Sequence, residues 1–238
     1  MDRFVCVYFF DHKTEDQMFL ADELLRIGYD CKFKNHSDFK GVMIQNVDPS
    51  KIHDPERTKL ISQNKNLTYA DHWKGTITGQ AMSFLGLEQT DQARLASAYT
   101  YCLSAAYSGL CKGVSEHEVM KVRMNLLALD SGLTVDQVFN QINNSVDIVA
   151  SLPYALEGVR DFTMLDPEER PPFYYDACLQ LNEGFLIKDY VNGPIRYEIG
   201  GRVSSDAVML FINSYSKLLG VKHASGFPYR MTATGYTG

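Results

Sequence analysis

The sequence predicts an α+β fold: an N-terminal βαβ unit, a helical middle, and a C-terminal antiparallel β-meander closed by a long helix. The clearest evidence is Asn192-Gly193, which separates two strand-like segments. Both residues tolerate the positive φ of a type I′ hairpin turn. Capping boxes, in which a serine or threonine is followed three residues later by glutamate or glutamine, recur along the chain and mark helix starts.

The N-terminal region alternates strand and helix signals. Arg3–Phe10 is an apolar strand, and Thr14–Gln17 is a capping box for a helix that ends at Gly28. Tyr29–Phe33 alternates apolar and polar residues, and Gly41–Val47 is a further strand candidate. This βαβ start suits one half of a ferredoxin-like fold, an outline that many functions share.

Residues 48–76 carry few apolar side chains and two prolines. They predict an extended surface loop with one short helix near Glu56–Ser62. A loop this long in a compact domain is either functional or conceals an element that the pattern does not reveal. Together with the βαβ unit it forms the predicted N-terminal region, residues 1–88.

The predicted helical middle spans residues 89–165. Asp91–Leu110 is rich in small residues and apolar nearly all round, which is typical of a central helix packed closely by its neighbours. Ser115 opens a second helix that runs to Gly132, and a capping box from Thr134 opens a third.

The C-terminal region, residues 172–238, predicts antiparallel hairpins plus a helix. The strand candidates are Tyr174–Leu181, Phe185–Val191 and Ile195–Ile199, and a helix follows from about Ser204 to Gly220. The rest of the chain, from Lys222 onward, predicts a loop.

A charged, proline-rich connector at 166–172 is the candidate boundary between the helical middle and the hairpins. The three regions either form separate units or pack as one compact unit.

Composition indicates a soluble cytoplasmic protein. Hydrophobic residues make up 45% of the chain and charged residues 22%, both ordinary for a globular protein. No apolar run approaches the roughly 18 residues that cross a bilayer, so no membrane association is expected. The net charge of −6 argues against general nucleic-acid binding, because such binding depends on neutralising phosphates.

The sequence predicts no cofactor and no metal. The five cysteines are scattered and lack a C-x-x-C pair, so reduced, mostly buried thiols are expected. The chain also lacks the phosphate-binding loop, the dinucleotide-binding glycine pattern and the serine nucleophile elbow. Catalytic groups assemble from distant residues in many enzymes, so missing motifs do not exclude catalysis.

The most chemical cluster is Asp71-His72-Trp73-Lys74, which contains the only tryptophan. One hypothesis is a loop in which Trp73 contacts a ligand or partner and His72, with Asp71, serves as an acid or base. The alternative is that Trp73 anchors the long loop to the core.

Further candidates lie near the C-terminus. After Asp206 all charged side chains are basic, and the predicted binding residues there are Lys222, Tyr229 and Arg230. His223 is a second catalytic candidate. Arg196 shares a strand face with Glu198, and Lys188 is a third candidate for the same face. A cross-strand ion pair or an anion contact would explain this arrangement.

We therefore expect a non-catalytic cytosolic binding or regulatory protein that recognises a protein partner or a small anionic ligand. The alternative is a hydrolase-like or transferase-like enzyme that uses His72 or His223 in a cleft. A histidine within hydrogen-bond reach of both a carboxylate and a nucleophile would favour the enzyme.

Overall fold

The computed structural model describes residues 4–10, 15–34, 41–47, 58–64, 67–191 and 193–237. Helices are mixed with two β-sheets, as the α+β prediction requires. The chain divides into two compact units: the first comprises residues 1–103 and 111–114, and the second comprises 104–110 and 115–238. The predicted boundary at 166–172 lies inside the second unit.

The first unit contains a four-stranded sheet with strand order β2-β1-β3-β4. Its elements are β1 (Phe4–Phe10), α1 (Glu15–Arg26), β2 (Asp30–Lys34), β3 (Gly41–Val47), β4 (Thr58–Ile61), α2 (His72–Gly75), α3 (Ile77–Leu85) and most of α4 (Asp91–Tyr107). A short 3₁₀ turn, Tyr69–Asp71, leads directly into α2.

Strand β1 pairs parallel with β2 and antiparallel with β3. The parallel pairing needs a crossover, which α1 supplies. The helix ends at Arg26, and Gly28 follows it with a φ of 93°, which suits glycine. Thr14, the expected cap, lies outside the described residues. β1 and β2 are direct neighbours, whereas a split βαβ unit places another strand between them. This adjacency does not support the ferredoxin-like comparison, which stays a prediction.

An apolar cluster forms a core of the first unit. Residues from the sheet, α1 and α3 meet there, namely Val7, Leu20, Ala21, Leu24, Val42, Ile44, Ile61, Ile77, Ala81, Met82 and Ala93. Burial of such side chains is the main favourable contribution to folding.

Two sequence-based predictions in this unit are wrong. The segment near Glu56–Ser62 contains strand β4 rather than a short helix, because its residues pair with β3 from Val42 to Gln45. The end of the predicted loop at 48–76 is also helical, because it contains α2 and leads directly into α3. Small and polar residues concealed this helix, whose buried face includes Ala81 and Met82.

The second unit combines helices with a six-stranded sheet of order β5-β6-β7-β8-β10-β9. Its elements are α5 (Glu116–Ser131), α6 (Val135–Ser151), β5 (Tyr154–Leu156), β6 (Val159–Asp161), α7 (Tyr174–Gln180), β7 (Gly184–Tyr190), β8 (Ile195–Gly201), α8 (Ser205–Leu210), α9 (Ser216–Leu218), β9 (His223–Phe227) and β10 (Thr232–Tyr236). The predicted caps are present: Ser115 caps α5 and Thr134 forms a complete capping box on α6.

Strand β7 is buried on both faces. Phe185 and Ile187 pack into one apolar cluster with α6 and α7, while Leu186 packs into a second with α8. The predicted hairpin at 192–193 is present in outline, since β7 and β8 pair antiparallel from Tyr190–Ile195 onward; Asn192 itself lies outside the described residues.

The predicted strand Tyr174–Leu181 is wrong, because Tyr174–Gln180 is helix α7. Its aromatic residues favour a strand locally, but tertiary contacts favour the helix. Ala177 and Cys178 are buried in the core, and the fully buried Asp176 accepts two hydrogen bonds from Arg123.

The C-terminal predictions need two further corrections. The expected long helix is divided into α8, a π-helical turn (Phe211–Tyr215) and α9, and it does not close the chain. The expected terminal loop instead forms β9 and β10, which pair with each other and extend the sheet from β8.

The sequence predicts no membrane-spanning segment and reduced cysteines. None of the helices in the described ranges is long and apolar enough to cross a bilayer. Cys111 and Cys178 are free thiols.

We expect Gly193→Val to lower the free energy of unfolding by about 1–3 kcal/mol. Gly193 has a φ of 108°, and a Cβ built on it meets nothing within 4 Å. The cost therefore comes from backbone conformation, and Gly193→Ala should lose a similar amount. Chemical denaturation of both variants measures this, and stability equal to wild type would contradict the hairpin.

Candidate functional site

A pocket of about 300 Å³ in the first unit contains the whole Asp71–Lys74 cluster. It joins three segments that are distant in sequence: the turn leading into α2, the start of α4, and the segment after α4. The lining residues are Ala70, Asp71, His72, Trp73, Lys74, Gln89, Arg94 and Lys112.

Thr76 fixes the corner between α2 and α3. Its hydroxyl accepts a hydrogen bond from the Gly79 N–H at 3.1 Å and donates to the Trp73 carbonyl at 3.2 Å. The same hydroxyl lies 3.1 Å from Ser97 Oγ on α4. Because Thr76 and Ser97 are fully buried, losing either partner would leave a polar group unpaired away from water.

Two glycines allow the close packing at this corner. A Cβ on Gly79 would overlap the Trp73 carbonyl, and a Cβ on Gly75 would lie 2.7 Å from the Tyr101 ring. Glycine is therefore the residue that fits at both positions.

The loop before the cluster is held by hydrogen bonds to the same corner. The Asn64 N–H donates to the Gly75 carbonyl at 2.8 Å, and Gln80 Nε2 donates to the Ser62 carbonyl at 2.9 Å. The Tyr101 hydroxyl lies 2.6 Å from the Asn64 carbonyl oxygen. These contacts set the position of the pocket wall.

His72 is 3% exposed, and its Nδ1 lies 3.0 Å from the Tyr69 carbonyl. A carbonyl only accepts, so Nδ1 carries the proton and, in the neutral ring, Nε2 is an acceptor. Nε2 has no hydrogen-bond partner among the described residues. Burial lowers the pKa of His72, and the nearby positive charge of Arg94 lowers it further.

The pocket contains three cations and one carboxylate. Asp71 accepts a hydrogen bond from Lys74 at 3.1 Å, with both side chains well exposed. Arg94 donates to Gln89 Oε1 at 3.2 Å. Within the described ranges, neither Arg94 nor Lys112 has a carboxylate within ion-pair distance.

The segment that carries Lys112 approaches Arg94 closely. A Cβ on Gly113 would lie 2.7 Å from Arg94 Nη1. Arg94 lies in the first turns of α4, which Thr90 caps by accepting from the Ala93 N–H at 3.1 Å. The guanidinium thus sits between the start of α4 and the segment that follows this helix.

The position of Trp73 is compatible with both hypotheses, a contact with a ligand and an anchor to the core. Its half-buried ring packs against the apolar core of the first unit, as an anchor would. The same residue lines the pocket.

The remaining predicted binding residues belong to the second unit. Lys222 and His223 are exposed, and the Arg230 guanidinium lies 5.7 Å from the Phe227 ring centre. The side chain of Tyr229 lies outside the described set. Sheet register places His223 opposite Tyr236, which in turn lies opposite Arg196.

Arg196 forms the cross-strand ion pair that its alternation predicts. It lies directly opposite Asp189 and donates to it at 2.9 Å, and it lies 3.3 Å from Glu198. Lys188 is opposite Tyr197, so it lies on the other sheet face and not with Arg196. With two carboxylates beside it, Arg196 has little charge left for an external anion.

Sequence reasoning missed Gln89, Arg94 and Lys112. One signal was present: Arg94 is the only basic residue of helix α4, whose later turns are rich in small and apolar residues. A charge at such a position calls for a partner or a function.

The pocket lacks the arrangement that would favour an enzyme. In the described part of the chain, no histidine is hydrogen-bonded to both a carboxylate and a nucleophile; His72 contacts a carbonyl, and Asp71 contacts Lys74. The described residues also contain no group of three potential metal ligands.

We expect the stability of the protein to depend on pH through His72. The folded pKa lies below the ordinary 6.5, so the unfolded chain takes up a proton that the folded chain does not. This contribution is fully present above pH 6.5 and is lost as pH falls below it. Unfolding by denaturant at pH 7.5 and 5.5 should show a larger loss for wild type than for His72→Gln.

The matched control is His223→Gln, which removes an exposed histidine and should retain the wild-type loss. An equal loss in wild type and His72→Gln would show that His72 titrates alike in both states.

Comparison of the chain with models of protein families, with curated proteins and with solved structures finds no match. The geometry of the pocket is therefore the basis for a functional proposal.

Proposed function

We propose that the first unit binds a small anionic ligand in the pocket between Trp73, Arg94 and Lys112. The observation that carries the proposal is the convergence of three cations against a single carboxylate, Asp71. Two of these cations have no carboxylate partner among the described residues. The protein as a whole carries a net charge of −6, so the sign of the charge in the pocket is opposite to that of the whole chain.

The cations differ in what they offer an anion. Arg94 has a planar guanidinium held between Gln89 and Gly113, which suits bidentate contact with a carboxylate or phosphate. Lys74 and Lys112 are exposed and supply mobile point charges. His72 is held neutral by its lowered pKa, so it does not add a further charge near pH 7.

Pocket size and lining indicate a small molecule. About 300 Å³ lies at the lower end of the range for ligand pockets. The half-buried Trp73 ring adds a large apolar surface beside the charges. We therefore favour a phosphate or carboxylate attached to a planar or apolar group. A protein partner stays the alternative, and no feature of the pocket favours it.

The sole tryptophan makes binding directly measurable. We expect inorganic phosphate to change the fluorescence of Trp73 in the full-length protein, with saturation and with weaker binding at high salt. Arg94→Gln should weaken phosphate binding about tenfold, since charge-assisted hydrogen bonds contribute about 1.5–3 kcal/mol. Phenyl phosphate should bind more tightly than phosphate if the Trp73 ring contributes.

Arg26→Gln is the matched control, because Arg26 belongs to the same unit but pairs with Glu23 on α1. It should bind phosphate like wild type. Lys112→Gln should weaken binding, and thermal melting should confirm that each variant folds. No saturable fluorescence change with either phosphate compound, or equal affinity in Arg94→Gln and Arg26→Gln, would refute the proposal.

A further inference from the structure

Two cysteines of the first unit lie in direct contact. Cys102 Sγ and Cys111 Sγ are 3.2 Å apart, and the residues are 3% and 2% exposed. No disulfide joins them. A disulfide requires a sulfur–sulfur distance of about 2.05 Å, so a displacement of roughly an ångström would join them.

Local backbone structure brings the pair together. Helix α4 is interrupted at Cys102, whose φ of −153° and ψ of 57° are not helical. The chain then reverses at Gly109, which has a φ of 69°, and the Leu110 N–H donates to the Ala105 carbonyl at 2.9 Å. Cys111 follows immediately.

Cys31 and Cys178 lie in different surroundings. Cys31 Sγ lies 3.9 Å from the Ala21 carbonyl oxygen. Cys178 is fully buried in the second unit, where burial raises its pKa to about 12.

We propose that Cys102 and Cys111 are a redox modification site, which a peroxide converts reversibly into an intramolecular disulfide. One thiolate attacks a peroxide oxygen, the O–O bond breaks, and hydroxide departs. The attacking cysteine is thereby converted into a sulfenic acid. The second thiolate attacks that sulfur, the S–S bond forms, and the S–O bond breaks as a second hydroxide leaves. In sum, two thiols and one hydrogen peroxide give one disulfide and two waters.

Oxidation should also alter the pocket. Lys112 and Gly113 directly follow Cys111; Lys112 lines the pocket, and Gly113 lies against Arg94. Drawing Cys111 toward Cys102 therefore shifts the segment that contributes Lys112 to the pocket, which Trp73 also lines. The resulting change in Trp73 emission does not depend on whether the pocket binds an anion.

The test treats the folded, full-length protein with hydrogen peroxide, followed by alkylation and peptide mass spectrometry without reductant. We expect a Cys102–Cys111 bridged peptide lighter by two hydrogen atoms, two fewer alkylated cysteines, and recovery with dithiothreitol. Because both thiols are buried, the reaction should be slow. Trp73 emission should change on oxidation and return on reduction.

Cys102→Ser and Cys111→Ser should abolish the bridge and the emission change, while Cys31→Ser, a thiol of the same unit, should retain both. A bridge between other cysteines, sulfinic acid without a bridge, or a bridge only in denaturant would overturn the proposal. If a serine variant fails to fold, the wild-type peptide map decides alone. A bridge with unchanged Trp73 emission would overturn the effect on the pocket and leave the modification site standing.

Discussion

The pocket depends on the close approach of two short helices, which glycine at position 79 makes possible. Because Gly79 has no Cβ, its backbone lies against the Trp73 carbonyl, and Thr76 joins both by hydrogen bonds. Ser97 ties this corner to α4, the helix that carries Arg94. One buried hydroxyl thus links the aromatic wall of the pocket to its guanidinium. These hydrogen bonds hold sequence segments that are far apart in a fixed relation.

Electrostatic pairing distinguishes the pocket from the second unit. There, buried or half-buried arginines meet carboxylates: Arg123 binds Asp176, and Arg160 binds Glu183. Breaking such a pair leaves an uncompensated charge, which is strongly destabilising. These pairs are structural. Arg94 has only a neutral amide as its acceptor in the described residues. Its charge is available to a ligand, and this contrast supports the pocket as a binding site.

The sequence allowed prediction wherever local chemistry determines structure. Helices α5 and α6 begin at the serine and threonine whose side chains cap them, because capping involves residues only three apart. The hairpin between β7 and β8 was likewise predictable, since Gly193 satisfies its turn. Errors arose where tertiary contacts outweigh propensity. Tyr174–Gln180 is a helix whose buried Asp176 pairs with Arg123, a tertiary contact between distant residues that no local pattern reveals.

The same division applies to the candidate site. The Asp71–Lys74 cluster could be recognised from its residue types, because a lone tryptophan beside a histidine and charges is unusual. The chemistry of the cluster could not be predicted, because the protonation state of His72 depends on its burial. Adjacent residues suggested an acid–base pair with Asp71. Folding instead buries the imidazole as a neutral acceptor and leaves Asp71 with Lys74. Folding also brings Arg94 and Lys112 to the cluster. This geometry favours anion recognition over proton transfer.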